Sequence, residues 1–150
     1  MDSLPTEDNT RRIDQLLAHY GQSHQHPMNE RIHFLAIPLI MLTLIGLIYE
    51  IHPVAAYVFL AASMVYYLRL SLVFSAVMAV WTALMMMLVF AMGPLRLPIC
   101  VSVFVGAWVL QFIGHKLEGQ KPSFFEDVQY LWVGPLFVLR PLLVRFNLAW

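Results

Sequence analysis

Four long apolar runs, at positions 34–49, 54–68, 70–95 and 97–113, fill almost all of the chain between Phe34 and Ile113. A helix that crosses a membrane needs about 20 predominantly apolar residues, within a range of about 17–25. The first two runs reach that length only with their flanks, and the third contains a whole span whose exit is marked by Gly93-Pro94. From Val54 to Leu95 the chain is too long for one helix, and Arg69 supplies the break. The runs predict four transmembrane helices at about 29–49, 54–69, 71–91 and 97–115. Composition agrees, because 60% of the 150 residues are hydrophobic and 12% charged, against about 45–50% and about 25% in soluble domains. So small a globule cannot hide that excess. The chain reads as one all-α integral-membrane domain over residues 1–150, a bundle solvated by lipid.

The flanks are polar. Residues 1–9 read as a loosely held acidic lead-in without a signal peptide. From Thr10 to Tyr20 the apolar positions Ile13, Leu16, Leu17 and Tyr20 repeat at helical spacing. They predict an amphipathic helix lying on the membrane surface or against the bundle. After the fourth span, Ser123-Phe-Phe-Glu126 has the pattern of a capping box and predicts a helix carrying Phe124, Phe125, Val128, Leu131 and Trp132. Gly134-Pro135 then breaks it. The segment from Leu136 to Phe146 contains Arg140, Pro141 and Arg145, awkward in a full span, and reads as interfacial or re-entrant.

Charge sets the orientation. Four spans bring both termini and the central loop to one side, with Arg11, Arg12, Arg31, Arg69, Lys116, Lys121, Arg140 and Arg145; Arg96 alone faces the other. The positive-inside rule makes the first side cytoplasmic. The net charge is zero and no basic block is present, which speaks against nucleic acid as a partner. Cys100 is the sole cysteine, which excludes a disulfide framework and a cysteine zinc site and reads as a small packed residue. No Asp, Glu, Lys, Arg or His falls in the middle of a span, which disfavours a pump or an ion-coupled transporter.

Two constellations carry possible chemistry. The first runs from His19 to His33 and holds His19, His24, His26 and His33, four of the six histidines. Pro27 suits the first position of a helix that would carry Asn29 and His33 on one face, four residues apart, with His26 just before it. Imidazole is the commonest metal ligand. The second constellation is Gln111-Phe-Ile-Gly-His115-Lys-Leu-Glu118-Gly, in which Gln111, His115 and Glu118 share a helix face. Topology brings it to the same membrane side as the first, whereas His52 faces away. Imidazole and carboxylate suit iron, zinc or manganese. The bland reading of both is a hydrogen-bonded interfacial patch, with Glu118 paired to Lys121. Trp81, Trp108, Met85, Met86 and Met87 lie near mid-membrane, as packing or as the wall of a groove for an acyl chain.

Together, His24-Gln-His-Pro-Met-Asn29-Glu-Arg-Ile-His33 ahead of Ile37-Pro38, and Gln111 to Gly119 with Pro122, resemble the 2-hydroxy fatty acid dioxygenase family of small membrane proteins. Gly134-Pro135-Leu-Phe137 is a softer match, and the likeness covers about Tyr20 to Phe137. It implies an iron(II) enzyme of fatty acid α-oxidation that uses O2 to shorten a 2-hydroxy fatty acid by one carbon. His24, His33 and His115 carry over best as ligands, with His19, His26 or Glu118 completing the set. Asn29 and Gln111 would orient the imidazoles, and Lys116 or Lys121 would hold the substrate carboxylate. The alternatives are a zinc-dependent membrane lipid hydrolase and a non-enzymatic lipid-binding scaffold. The expected location is a bacterial inner membrane, with the endoplasmic reticulum second.

Overall fold

The structure, a computed structural model, describes residues 11–22, 24–119 and 130–148. These residues form six α-helices and one 3-10 turn, with no strand among them. Residues 1–9, Lys121 and the capping box Ser123–Glu126 lie outside the described residues, and the end of the helix expected to follow that box, at Leu131 and Trp132, is a turn.

Helix α1 (Arg12–Gln22) buries Ile13, Leu17 and Tyr20, the apolar stripe of the sequence, and packs against the last helix of the bundle. Helix α2 (Pro27–Ile51) starts where the proline predicts. His26 caps it, its Nδ1 accepting the Met28 N–H at 3.2 Å. Helix α3 (Pro53–Leu70) repeats the device with His52, which accepts the Val54 N–H at 3.2 Å. Helix α4 (Leu72–Ala91) begins one residue later. The break falls at Ser71 rather than Arg69. Arg69 completes the last turn of α3, where a cation suits the helix dipole, while extended Ser71 closes one helix and caps the next. A 3-10 turn (Gly93–Leu95) leads into α5 (Arg96–Glu118), which ends at Gly119 with a left-handed φ of +75°.

Four helical segments are long and apolar enough to cross a membrane: Pro27–Ile51, Pro53–Leu70, Leu72–Ala91 and Gly93–Glu118. They contain the four predicted spans but for a residue at Ser71, with longer ends. The last helix, α6 (Val133–Arg145), has 13 residues, about 20 Å, short of the hydrocarbon core of about 30 Å. Gly134-Pro135 lies in its first turn, so the pair starts this helix. Helix α6 buries Val133, Leu136, Leu139 and Leu143 against α1, α2 and the α3–α4 turn, whose Tyr67 and Phe74 join the same cluster. Helix α3 buries only Ala56 and Tyr67 and turns Val54, Val58 and Val65 outward, a surface suited to lipid.

The most extensive contact is between α2 and α5. Lipid supplies no hydrophobic drive between helices, so close backbone approach has to come from small residues. Gly46 provides it towards one end, where a Cβ would run into Cys100 Sγ, and Gly114 at the other, where a Cβ would run into Asn29 Oδ1. Beyond Gly46, Arg96 is held by Glu50 Oε1 at 2.8 Å, by the Val89 carbonyl at 2.8 Å and over the Tyr49 ring at 4.7 Å. Cys100 is fully buried, as its packing role requires.

The glycine contact is testable by a double-mutant cycle. Gly46→Ala should destabilise the detergent-solubilised protein by about 1–3 kcal/mol through overpacking. Adding Cys100→Ala should recover part of that loss, giving a coupling of about 0.5–3 kcal/mol in thermal or chemical unfolding. Strict additivity would show that the two residues do not meet.

Candidate metal and substrate site

The entrance of α2 and the exit of α5 meet through one carboxylate. Glu118 Oε1 accepts the Gln25 N–H at 2.9 Å, and Oε2 accepts the His26 N–H at 2.9 Å and Asn29 Nδ2 at 3.0 Å. A carboxylate accepts only, so Asn29 must present its amide nitrogen to Glu118, which turns Oδ1 towards Gly114. The negative charge also sits at the N-terminus of α2, where the helix dipole favours it. Glu118 therefore works as a clamp on the turn that carries His24.

Behind the clamp, His24, His33 and His115 are 8%, 1% and 7% exposed, and their rings pack together. Centroids are 4.2 Å apart for His24–His33, 5.3 Å for His33–His115 and 6.1 Å for His24–His115. Two of the three imidazoles are oriented by backbone carbonyls, His33 by its own helical turn and His24 by the end of α1. His24 Nδ1 lies 2.7 Å from the Tyr20 carbonyl and His33 Nδ1 lies 2.9 Å from the Asn29 carbonyl. A carbonyl can only accept, so each Nδ1 carries a proton, and in the neutral form of each ring the lone pair lies on the buried Nε2. Tyr20 stacks on His24 at 4.2 Å, and Phe137 of α6 covers the pair at 5.1 and 6.0 Å.

This arrangement can be tested against a metal ion. Imidazoles sharing one ion at about 2.1 Å per bond have ring centroids on the order of 4.5–5.5 Å apart; the His33–His115 separation of 5.3 Å lies in that range, while His24–His33 at 4.2 Å is shorter and His24–His115 at 6.1 Å longer. As a donor set, three clustered imidazoles suit a divalent cation, but of the three spacings only that of His33 and His115 does. Among the described residues, however, no three His, Cys, Asp or Glu side chains have their donors already gathered for one. Two further buried oxygens, Asn29 Oδ1 and Gln111 Oε1, make no hydrogen bond. Such groups are costly to leave unsatisfied, and they mark the polar wall of a ligand site.

The remaining sequence candidates stand elsewhere. His26 is an exposed helix cap, and His19 is exposed beside the Tyr130 ring at 5.7 Å. Lys116 is exposed near the end of α5. Arg140 and Arg145 of α6 line an open groove of about 410 Å³ with Glu30, Phe34 and Phe137, and Phe137 also reaches His24. Trp108 and Gln111 line a narrow slot beside the cluster. Met85 and Met86 are buried in the core with Ile45 and Val89, and Met87 faces outward.

A family model described as 2-hydroxy-palmitic acid dioxygenase Mpo1-like matches residues 10–146. The chain belongs to this Mpo1-like family. No curated protein and no solved structure matches it. The Mpo1-like description names a dioxygenase of a 2-hydroxy fatty acid, and the matched region contains α1, the histidine cluster and α6. Sequence reasoning missed Tyr20 and Phe137 as walls of the histidine cluster in this Mpo1-like chain. The available signal was the proximity in sequence of Tyr20 and His24, which brings the ring at the end of α1 onto the imidazole just beyond it.

Removing the clamp has a specific signature. Glu118→Ala should lower stability by about 1–3 kcal/mol, the usual loss for charge-assisted hydrogen bonds. It should also speed hydrogen exchange at the Gln25 and His26 amides. A variant that keeps both amides protected would show that Glu118 does not hold this turn.

Proposed function

We propose that this chain is an iron(II)-dependent dioxygenase of fatty acid α-oxidation. Its substrate is a 2-hydroxy fatty acid, which it converts with O2 to the acid one carbon shorter. The observation that carries the reading is the buried set of His24, His33 and His115 in a chain that belongs to the Mpo1-like family. The reaction balances as 2-hydroxy acid plus O2 giving the shorter acid, CO2 and water. The C1–C2 bond breaks, C2 becomes the new carboxyl carbon, and its three electrons plus one from C1 reduce O2.

His24, His33 and His115 are the proposed iron ligands. Bound iron(II) supplies the site at which O2 is reduced and the Lewis acidity that polarises the 2-hydroxy carboxylate. The protein's own part is positioning. The Tyr20 and Asn29 carbonyls keep the protons on Nδ1 and leave Nε2 of His24 and His33 to bind. Glu118 and Asn29 fix the turn that carries His24, and Gly114 gives Asn29 its room. Gln111 offers a buried amide next to the imidazoles. Tyr20 and Phe137 exclude water from the cluster. Lys116 and the Arg140–Arg145 groove, joined by Lys121 on the topology read from the sequence, attract the substrate's carboxylate. The tail lies among the apolar helices. The cationic face is cytoplasmic by the positive-inside rule, in a bacterial inner membrane or, second, the endoplasmic reticulum.

Oxygen uptake tests the reaction. Wild-type protein loaded with iron(II) should consume one O2 per shortened acid from a 2-hydroxy fatty acid and none from the unhydroxylated acid of equal length. His33→Ala and His115→Ala should each lower the rate about 100-fold or more. Unchanged rates in both variants, or equal uptake with the unhydroxylated acid, would contradict the proposal.

A further inference from the structure

Two narrow slots lie along α2, and one residue, Leu131, lines both. The first, beside the histidine cluster, is lined by Tyr20, Ile37, Ile40, Trp108, Gln111 and Leu131, among others. The second, deeper between α2, α3 and α4, is lined by Ile45, Leu60, Ser63, Thr82, Trp132 and again Leu131. The first joins the proposed site directly, since Tyr20 stacks on His24. Gln111, 5% exposed and with Oε1 unbonded, supplies a polar end to an otherwise mostly apolar passage.

Leu131 is held in place from below. Trp132 donates its indole N–H to Ser63 Oγ at 2.9 Å, and Tyr67 donates its hydroxyl to the Trp132 carbonyl at 3.1 Å. Ser63 in turn donates to the Phe59 carbonyl at 2.8 Å. These bonds pin the turn before α6 to α3, and that turn carries Leu131 into the lining of both slots. The slots have room of about 30 and 20 Å³, enough for a water or so each and too little for an alkyl chain. Along α2, His33 to Ile45 covers twelve residues, about 18 Å, the length scale of a long acyl chain.

We infer that the two slots are the closed form of one acyl-chain passage and that Leu131, as the partition between them, is the residue that sets chain length. This rests on the reading of the substrate as a fatty acyl chain. The head of the acid lies at the histidines and Gln111, and the first methylenes part the walls of the first slot. A longer tail reaches the second slot only by displacing Leu131. The chain length at which that displacement becomes necessary divides well-held from poorly held substrates. Replacing Leu131 by alanine deletes about three methylene-sized groups and joins the slots, whereas phenylalanine thickens the partition.

The test takes the full-length protein in mild detergent through a series of saturated 2-hydroxy fatty acids of increasing length. Binding is read by thermal stabilisation, and O2 uptake is measured separately. Leu131→Ala should move the best-bound length up by about two to three methylenes, and Leu131→Phe should move it down. Identical length profiles in wild type and both variants would overturn the inference. A shifted binding profile without any O2 uptake supports the partition and counts against the dioxygenase chemistry. O2 uptake with one unchanged length optimum does the reverse. If the alanine variant does not fold, Leu131→Val and Leu131→Phe make the same comparison in opposite directions.

Discussion

The close approach of α2 and α5 is the constraint on which the rest depends. Helices in lipid gain nothing from hiding apolar side chains from one another, so contact must come from shape. Glycine at positions 46 and 114 removes the side chain that would hold the two backbones apart. At Gly114 the space is filled by Asn29 Oδ1, which leaves the amide nitrogen of Asn29 to reach Glu118. Glu118 then secures the two backbone amides just ahead of α2. His33 on α2 and His115 on α5 meet because the helices do, and His24 joins them because the clamped turn ends beside them. A packing contact thus becomes a polar site.

Polar groups in such a chain fall into two kinds. Most are satisfied at once by the backbone. Thr43 Oγ1 donates to the Leu39 carbonyl at 2.7 Å, Ser75 Oγ to the Ser71 carbonyl at 2.6 Å, and Arg96 to the Val89 carbonyl and Glu50. Those bonds let polar residues sit among apolar helices without further partners. The second kind includes the Trp81 indole nitrogen among the apolar helices, but its oxygens lie at one end of the α2–α5 pair, where Asn29 Oδ1 and Gln111 Oε1 are buried without a hydrogen bond beside three imidazoles. Two unbonded buried oxygens close together distinguish that end from the well-capped remainder of the bundle.

Hydropathy made the fold legible, because span length is set by the bilayer and survives any detail of packing. The exact breaks were less so. Arg69 looked like the breaker because charge is conspicuous in an apolar run, but Ser71 supplies the cap and the extended backbone. The histidines were legible in part. His26-Pro27 and His52-Pro53 are the same cap-and-proline device, and His52, on the far side from the cluster, shows what such a histidine does by default. Reading the two dipeptides together would have separated His26 from His24. Glu118 was visible as a partner of the site but its clamp was not, since backbone amides leave no trace in side-chain identity. Leu131 carries no chemistry of its own, and only its place in the lining of both slots gives it a role.

The account stands most directly on whether the imidazole cluster holds a metal. Elemental analysis of protein purified in mild detergent, compared with a variant lacking both His33 and His115 side chains beyond Cβ, measures this without assuming a reaction. The account predicts stoichiometric iron in the wild-type protein after loading, and its loss from the folded variant. No retained transition metal in the wild type, or the same content in both proteins, would contradict it.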